Sequence, residues 1–308
     1  MSIATRTARD TVEATTGITA SDLTGRGRDR NVKSVLFLVA LWFSLFFGVV
    51  VLIALIVDTV IKGAPRLDAE LFTNYHSKIS PDTTGFRAGI LGSIWLMFAT
   101  ALLAIPLGMA AAIYLEEFAN KRSRLHRVID VNLQNLAAVP SVIYGMLAVA
   151  VLALFDPPFK GIVIGGALAL ALLILPVIII TTREAIRAVP QEIRQGSLAL
   201  GATVWQTTWR NTLPSAVPGI ATGTILGLSR AIGEAAPLLM LGVAMVRTDP
   251  TGLFDKVTAL PIQIYNFSSE PNEAYQIASS AAIVILLAMI LGMNALAIVI
   301  RNKFQKSW

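Results

Sequence analysis

The sequence predicts an all-α integral membrane protein, a bundle of six transmembrane helices. Three observations predict it. Apolar residues make up 55% of the chain and charged residues only 14%, a balance outside that of ordinary soluble domains. Apolar runs recur that are longer than a buried core helix, and about 20 such residues cross a bilayer's hydrocarbon core. Lys and Arg are also unevenly shared between the segments that join the runs, as the positive-inside rule requires of a multi-span protein.

The elements follow in order. Residues 1–34 are polar and carry Arg6, Arg9, Arg26, Arg28, Arg30 and Lys33 among many Thr, Gly and Asp, which predicts a disordered cytoplasmic tail. The first span is 35–57. It is longer than the roughly 7–15 apolar residues of a signal peptide and no small-x-small cleavage site closes it. Five further spans are expected at about 88–115, 128–155, 161–181, 216–246 and 274–300. Pro106, Pro140 and Pro176 interrupt three of them, which helix bundles tolerate when neighbours satisfy the freed carbonyls. Seventeen Lys and Arg fall on the side of the termini and seven on the other, with Arg230 inside a span. Both termini and the polar segment 182–214 are therefore expected in the cytoplasm. The domain reading is a tail (1–34), a six-span domain (35–301) that includes 182–214, and a short C-terminal tail (302–308).

Composition also excludes chemistry. The chain has no cysteine, so disulfides, thiolate catalysis and iron–sulfur ligation are out. His76 and His126 are its only histidines. Both read as solvated loop residues without metal partners. No G-x-x-x-x-G-K-[ST] phosphate cradle occurs, and no cluster of acid, base and metal ligands suggests an enzyme. The net charge of +6 belongs to one membrane face, so lipid is the expected surround and nucleic acid is not a partner.

Two adjoining stretches carry the functional signal. In 182–214, Pro190 restarts the chain, Gly201 can take the left-handed conformation that ends a helix, and Thr203 is a candidate N-cap. Two short helices should meet at Gly201. Their tip, Gly196, Ser197, Leu198, Ala199, Leu200, Gly201 and Ala202, is small and apolar. It could dock in a partner's groove or rest as an amphipathic helix on the headgroups. In the span that follows, Gly219, Gly223 and Gly227 form a small-xxx-small stripe for close helix packing. Arg230 and Glu234 lie in the same run, where a charge costs roughly 2.5–3.5 kcal/mol on insertion scales. At about 100° per residue, Arg230 falls about 20° and Glu234 about 60° from Gly219, placing both on the packed face. Three readings stand: Arg230 meets an anion while Glu234 keeps it from binding too tightly, the pair fixes helix register, or it gates two states. Ser141 and Tyr144, beside Pro140, could offer hydroxyls to a pathway or simply pack. Asn294 reads as an interhelical hydrogen bond. Glu116-Glu117, followed by Lys121-Arg122-Ser123-Arg124, reads as a solvated, charge-balanced loop entry.

The run Gly196-Ser197 … Gly201 … Asn211-Thr212-Leu213-Pro214 resembles the cytoplasmic loop signature of permease subunits of bacterial ABC importers. Gln195-Gly196-Ser197 stands where that family has Glu-Ala-Ala, and Asn211 where it has Ile. Three stretches are similar to phosphate-importer permeases: Pro106 to Glu117, Leu136 to Gly145, and Ser229 to Leu239. The resemblance runs from about Gly85 to the C-terminus and is nearest to the A-type permease. It implies a type I ABC importer permease-like bundle in the bacterial cytoplasmic membrane. It implies as partners a homologous C-type permease, two ATPase subunits that hold ATP–Mg, and an extracytoplasmic phosphate-binding protein. This chain would bind no cofactor and hydrolyse nothing. Residues 196–202 would couple to the ATPase, and Arg230, Glu234, Ser141 and Tyr144 would border the pathway. The alternatives are a permease for another anion, sulfate or molybdate, or a secondary transporter. The latter needs ion-coupling carboxylates in several spans and usually an internal repeat, and only Glu234 is available.

Overall fold

The computed structural model describes residues 32–154 and 160–304. Of the tail expected at 1–34, residues 1–31 lie outside them, as do the last residues, 305–308, while 32–34 already belong to a helix. Among the described residues the regular structure is helical, apart from one isolated bridge between Ile162 and Lys256. Twelve α-helices are labelled in chain order: α1 Val32–Gly63, α2 Ala69–Thr73, α3 Arg87–Ile113, α4 Arg124–Ala137, α5 Ser141–Leu152 and α6 Val163–Arg187. Then follow α7 Gln191–Ala199, α8 Val204–Thr207, α9 Leu213–Ile232, α10 Ala236–Met240, α11 Leu260–Ser268 and α12 Glu273–Phe304. Wide π turns extend α3 through Tyr114–Phe118 and join α8 to α9 through Thr208–Thr212.

The chain divides into two compact units, residues 1–56 and 57–308. In the first, the described part is residues 32–56 of α1. Leu, Val, Phe and Ile occupy every side of this helix, the pattern of an element surrounded by apolar material.

The second unit is built on α6. Leu170, Ile174 and Ile178 on this helix are fully buried. Small residues set its two neighbours. A Cβ on Gly108 would come 2.7 Å from Ile178, and one on Gly166 would come 2.7 Å from Leu96. Both contacts join residues 70 apart, so α3 and α6 run parallel in a fixed register. Gly219, Gly223 and Gly227 of α9 face Ala185, Thr181 and Ile178 of α6, stepping in opposite directions, so α9 is antiparallel. In lipid the hydrophobic effect does not distinguish helix from tail. Close approach through small residues supplies the packing gain instead.

At the end of the unit away from α7, Phe86, Phe267 and Leu71 form a second fully buried cluster. The Phe86 and Phe267 rings meet edge to face at 5.5 Å. The short α2 is started by Asp68, whose carboxylate accepts the Leu71 amide at 2.9 Å.

Four helical segments are long and apolar enough to cross a membrane, at 34–66, 87–118, 163–187 and 273–303, with α4 and α5 a fifth if counted as one broken span. The six spans expected from the sequence are therefore corrected in two places. The span expected at 128–155 is two helices bent by 110°. Pro140 causes the break, because the residue before a proline is driven out of the helical region. Arg124, Arg127, Asp130, Asn132 and Gln134 also make α4 too polar for hydrocarbon. The span expected at 216–246 is helical only to Ile232 and resumes briefly in α10. Pro237 cannot donate to the carbonyl of Gly233, and Gly242 takes φ +74 to turn the chain away. Pro106 and Pro176, by contrast, sit inside unbroken helices.

Candidate functional site

The glycine stripe positions α9. Gly223 and Gly227 are buried against α6, and Gly219 lies 2.7 Å, measured from a Cβ built on it, from Ala185. The same helix meets α12 on another side. Ser229 donates to Oδ1 of Asn294, and two turns away Arg301 donates to Thr222 at 3.1 Å. Asn294 thus makes the interhelical bond its sequence position suggests.

Arg230 lies roughly 26 Å along α9 from its first residue, at 1.5 Å per residue. Its side chain is 42% exposed and that of Glu234 is 23% exposed. This corrects the placement on the packed face. A four-residue stripe drifts about 40° per step, so by Ala231 it has turned away from where Gly219 began. Arg230 is about 100° from buried Ala231, not beside it. Glu234 lies beyond the helix end, with its Oε1 3.6 Å from Nε of Arg230. A half-exposed pair at that range is worth about 0–1 kcal/mol, too little to be the main fastener of the bundle. Neither Nη of Arg230 makes a hydrogen bond among the described residues, so the guanidinium fork is open to a further acceptor.

Tyr144 and Ser141 sit at the break between α4 and α5. The Tyr144 hydroxyl donates to the Leu136 carbonyl at 2.6 Å. Its ring is buried, 5% exposed. It clasps the bend. Ser141, half-buried, is the first residue of α5. Next to Tyr144, a Cβ on Gly145 would come 2.7 Å from Pro237. The broken span α4–α5 and the broken end of α9 therefore meet. Breaks leave backbone polar groups that only protein or a water-filled cavity can satisfy.

The loop forms two helices meeting at a glycine. Gly201 has φ +83, Gly201 donates to Leu198 at 3.0 Å and Ala202 to Ser197 at 3.3 Å. This pair of bonds closes α7. Thr203 and Gln206 then cap α8 reciprocally. Leu200 is 91% exposed at the tip, and no atoms crowd Gly196 or Gly201. The two departures from the family signature touch. Asn211 donates to Ser197 Oγ at 2.9 Å, and Ser197 shares a 2.9 Å hydrogen bond with Thr207. A groove of about 600 Å³ runs beside the tip between Glu192, Leu200 and Arg210.

The largest surprise is an ionic network at this end of the unit. Glu116, expected to be solvated, is 4% exposed. Its Oε1 meets Lys121 Nζ at 2.5 Å and Arg187 Nε at 2.9 Å, and its Oε2 meets Arg183 Nε at 3.4 Å. The register of α3 on α6 explains this, since residue 116 falls level with residue 186. Arg183 reaches on to Asp130 of α4 at 2.5 Å. Glu117 pairs with Arg194 of α7 at 3.0 Å. The histidines are corrected too. His126 is buried on α4 with its Nε2 3.4 Å from Asp130, and His76 is buried with its ring 6.4 Å from that of Phe267. The only local sequence signal was Lys121, five residues from Glu116. Every other partner is distant in the chain.

Residues 104–306 match the family model described as binding-protein-dependent transport system inner membrane component. The phosphate transport system permease protein PstA of Yersinia pestis is 31% identical over 274 residues, covering 89% of this chain and 92% of that protein. The protein of the same name from Xylella fastidiosa is 31% identical over 251 residues, covering 80% of this chain and 85% of that one. Among solved structures, a bacterial alginate ABC transporter chain superposes with a TM-score of 0.62 at 16% identity, covering 86% of this chain and 93% of that chain. An inward-facing methionine ABC transporter chain gives 0.58 at 16% identity, covering 71% and 95%. These structural likenesses speak to the fold. With helices stacked through small residues, broken spans meeting beside Arg230, and a matched model covering two thirds of its length, the chain belongs to the binding-protein-dependent transport system inner membrane components, multi-pass permeases of ABC importers.

Proposed function

We propose that the chain is the permease of an ATP-driven inorganic phosphate importer and supplies half of its translocation pathway. One observation carries the substrate: about 30% identity to phosphate permeases over most of the length of both chains. Arg230, half-exposed with an open fork, suits an oxyanion that must bind and leave. Glu234 at 3.6 Å tempers its field. Tyr144 and Ser141 border the same region, where the broken spans allow backbone to face water.

In this reading the termini and the loop are cytoplasmic. Residues 196–202 dock a separate ATPase, two copies of which hold ATP–Mg, while this chain binds no cofactor. A homologous C-type permease covers the face that bears Arg230, and an extracytoplasmic phosphate-binding protein delivers the substrate. Hydrolysis in the partner then moves the loop, and the loop moves the spans.

The test is a complex reconstituted in vesicles with its binding protein. Phosphate should stimulate ATP hydrolysis and uptake, and sulfate should not. Stimulation by sulfate alone would reassign the substrate.

A further inference from the structure

Motion of a docked loop must reach the spans through something stiff, and α7 meets them through Ile193, which packs against the buried cluster of Ile113, Ile186 and Leu213, and through polar ties. Arg194 is one. Its Nη2 donates to the carbonyl of Ile186 at 2.5 Å, near the end of α6. Its Nη1 lies 3.0 Å from Glu117, in the π turn that ends α3. One guanidinium therefore ties α7 to two spans at once. The Glu117 side chain is 8% exposed and that of Arg194 is 22% exposed, so the tie is shielded from salt, unlike an ordinary surface pair. The adjoining residue, Glu116, binds Arg183 and Arg187 of α6. The ends of α3 and α6 are thus locked to each other, and Arg194 is the lever that grips both.

We propose that Arg194 is a positioning residue for transport: through Glu117 and the Ile186 carbonyl it transmits displacement of α7 to α3 and α6 together. This rests on the reading of residues 196–202 as the ATPase-docking loop. Arg194 itself lies one turn before that tip, on the side turned toward the spans. A fork is needed because one nitrogen donates to the Ile186 carbonyl while the other lies in ion-pair range of Glu117 on a different helix, and one point charge cannot serve both. Loss of either leg should leave docking intact and let the loop move without the spans. ATP would then be hydrolysed without transport.

The experiment uses the full complex reconstituted with its ATPase and binding protein, with Arg194→Gln, Glu117→Gln and the double variant. Three quantities are read: ATPase copurified per permease, ATP hydrolysis, and phosphate taken up per ATP. Copurification and hydrolysis should stay at the unmutated level. Uptake per ATP should fall about tenfold in each single variant, within the usual range of coupling energies. The double variant should be no worse than Arg194→Gln, because the two residues act through one contact. If Arg194→Gln fails to reach the membrane, Glu117→Gln keeps the Ile186 leg and carries the same expectation alone. Unchanged uptake per ATP, or additive losses in the double variant, would overturn the proposal. So would loss of copurification in Arg194→Gln, which would make Arg194 a docking contact. Failure of the unmutated chain to copurify ATPase would instead remove the docking reading on which the proposal stands.

Discussion

His76 is buried against Phe267 although its sequence surroundings are polar loop. Burial, then the positive fields of Arg247 and Lys78, lower its pKa below the ordinary 6.5. The folded protein therefore favours the neutral ring, while the unfolded chain takes up a proton once the pH falls below 6.5. The stability His76 contributes is full above that value and is lost as pH falls toward its depressed folded pKa. Thermal unfolding of the purified protein should show a midpoint that drops across this acid window, and His76→Gln should flatten the drop. A midpoint with the same slope in both proteins would remove His76 as the cause. Residues of this kind were the least legible in the sequence. Glu116 and Glu117 look solvated because Arg183, Arg187 and Arg194 lie far along the chain. Only the register of α3 on α6 brings them level. A lone buried carboxylate would be costly, so the reading depended on partners that no local pattern reveals.

Elements were more legible where small residues or turn chemistry dictate them. Gly201, Thr203 and the glycine spacing of α9 predict local geometry because few residues can do the same work. The same stripe makes a contrast that can be measured. Gly→Ala inside a helix gains about 1 kcal/mol from propensity alone. At Gly223 the added Cβ would sit 2.2 Å from Thr181 Oγ1, and overpacking of that kind costs about 1–3 kcal/mol. At Gly227 the nearest atom, Ile178 Cγ1, is 3.4 Å away, an ordinary contact. Gly223→Ala should therefore lower the unfolding midpoint in detergent, and Gly227→Ala should leave it unchanged or raise it. The reverse order would mean that α6 and α9 do not pack in this register. Where the sequence misled, it was over how sharply a proline divides a span. Apolar length suggested one crossing at 128–155, interrupted at Pro140, and one at 216–246. Pro140 and the Gly233–Pro237 pair end helices there, and the two breaks pack on each other, a Cβ built on Gly145 falling 2.7 Å from Pro237.

At the scale of the whole molecule, a sequence describes one chain, and the pathway is proposed to need two. That difference explains the error over Arg230. An angular count finds the face turned toward this chain's own neighbours, and Arg230 is turned off it, 42% exposed. Leu226 is one turn below and 60% exposed, on the same side of α9. Lipid on that face would leave the guanidinium in hydrocarbon at a cost of several kcal/mol. A water-filled seam with a second permease would not. The absence of cysteine makes the choice testable, since one introduced thiol is unique in the chain. Thiols react with charged methanethiosulfonates only as the thiolate, which forms in water. Leu226→Cys in the assembled complex should therefore react with a membrane-impermeant reagent of this class. The rate should change when the ATPase is held in its ATP-bound state, because the seam is then open to the other side. Leu102→Cys, 58% exposed on α3, is the comparison, at an apolar position with no charge beside it. Equal protection of both thiols in every state would turn the Arg230 face toward lipid and end its role in the pathway.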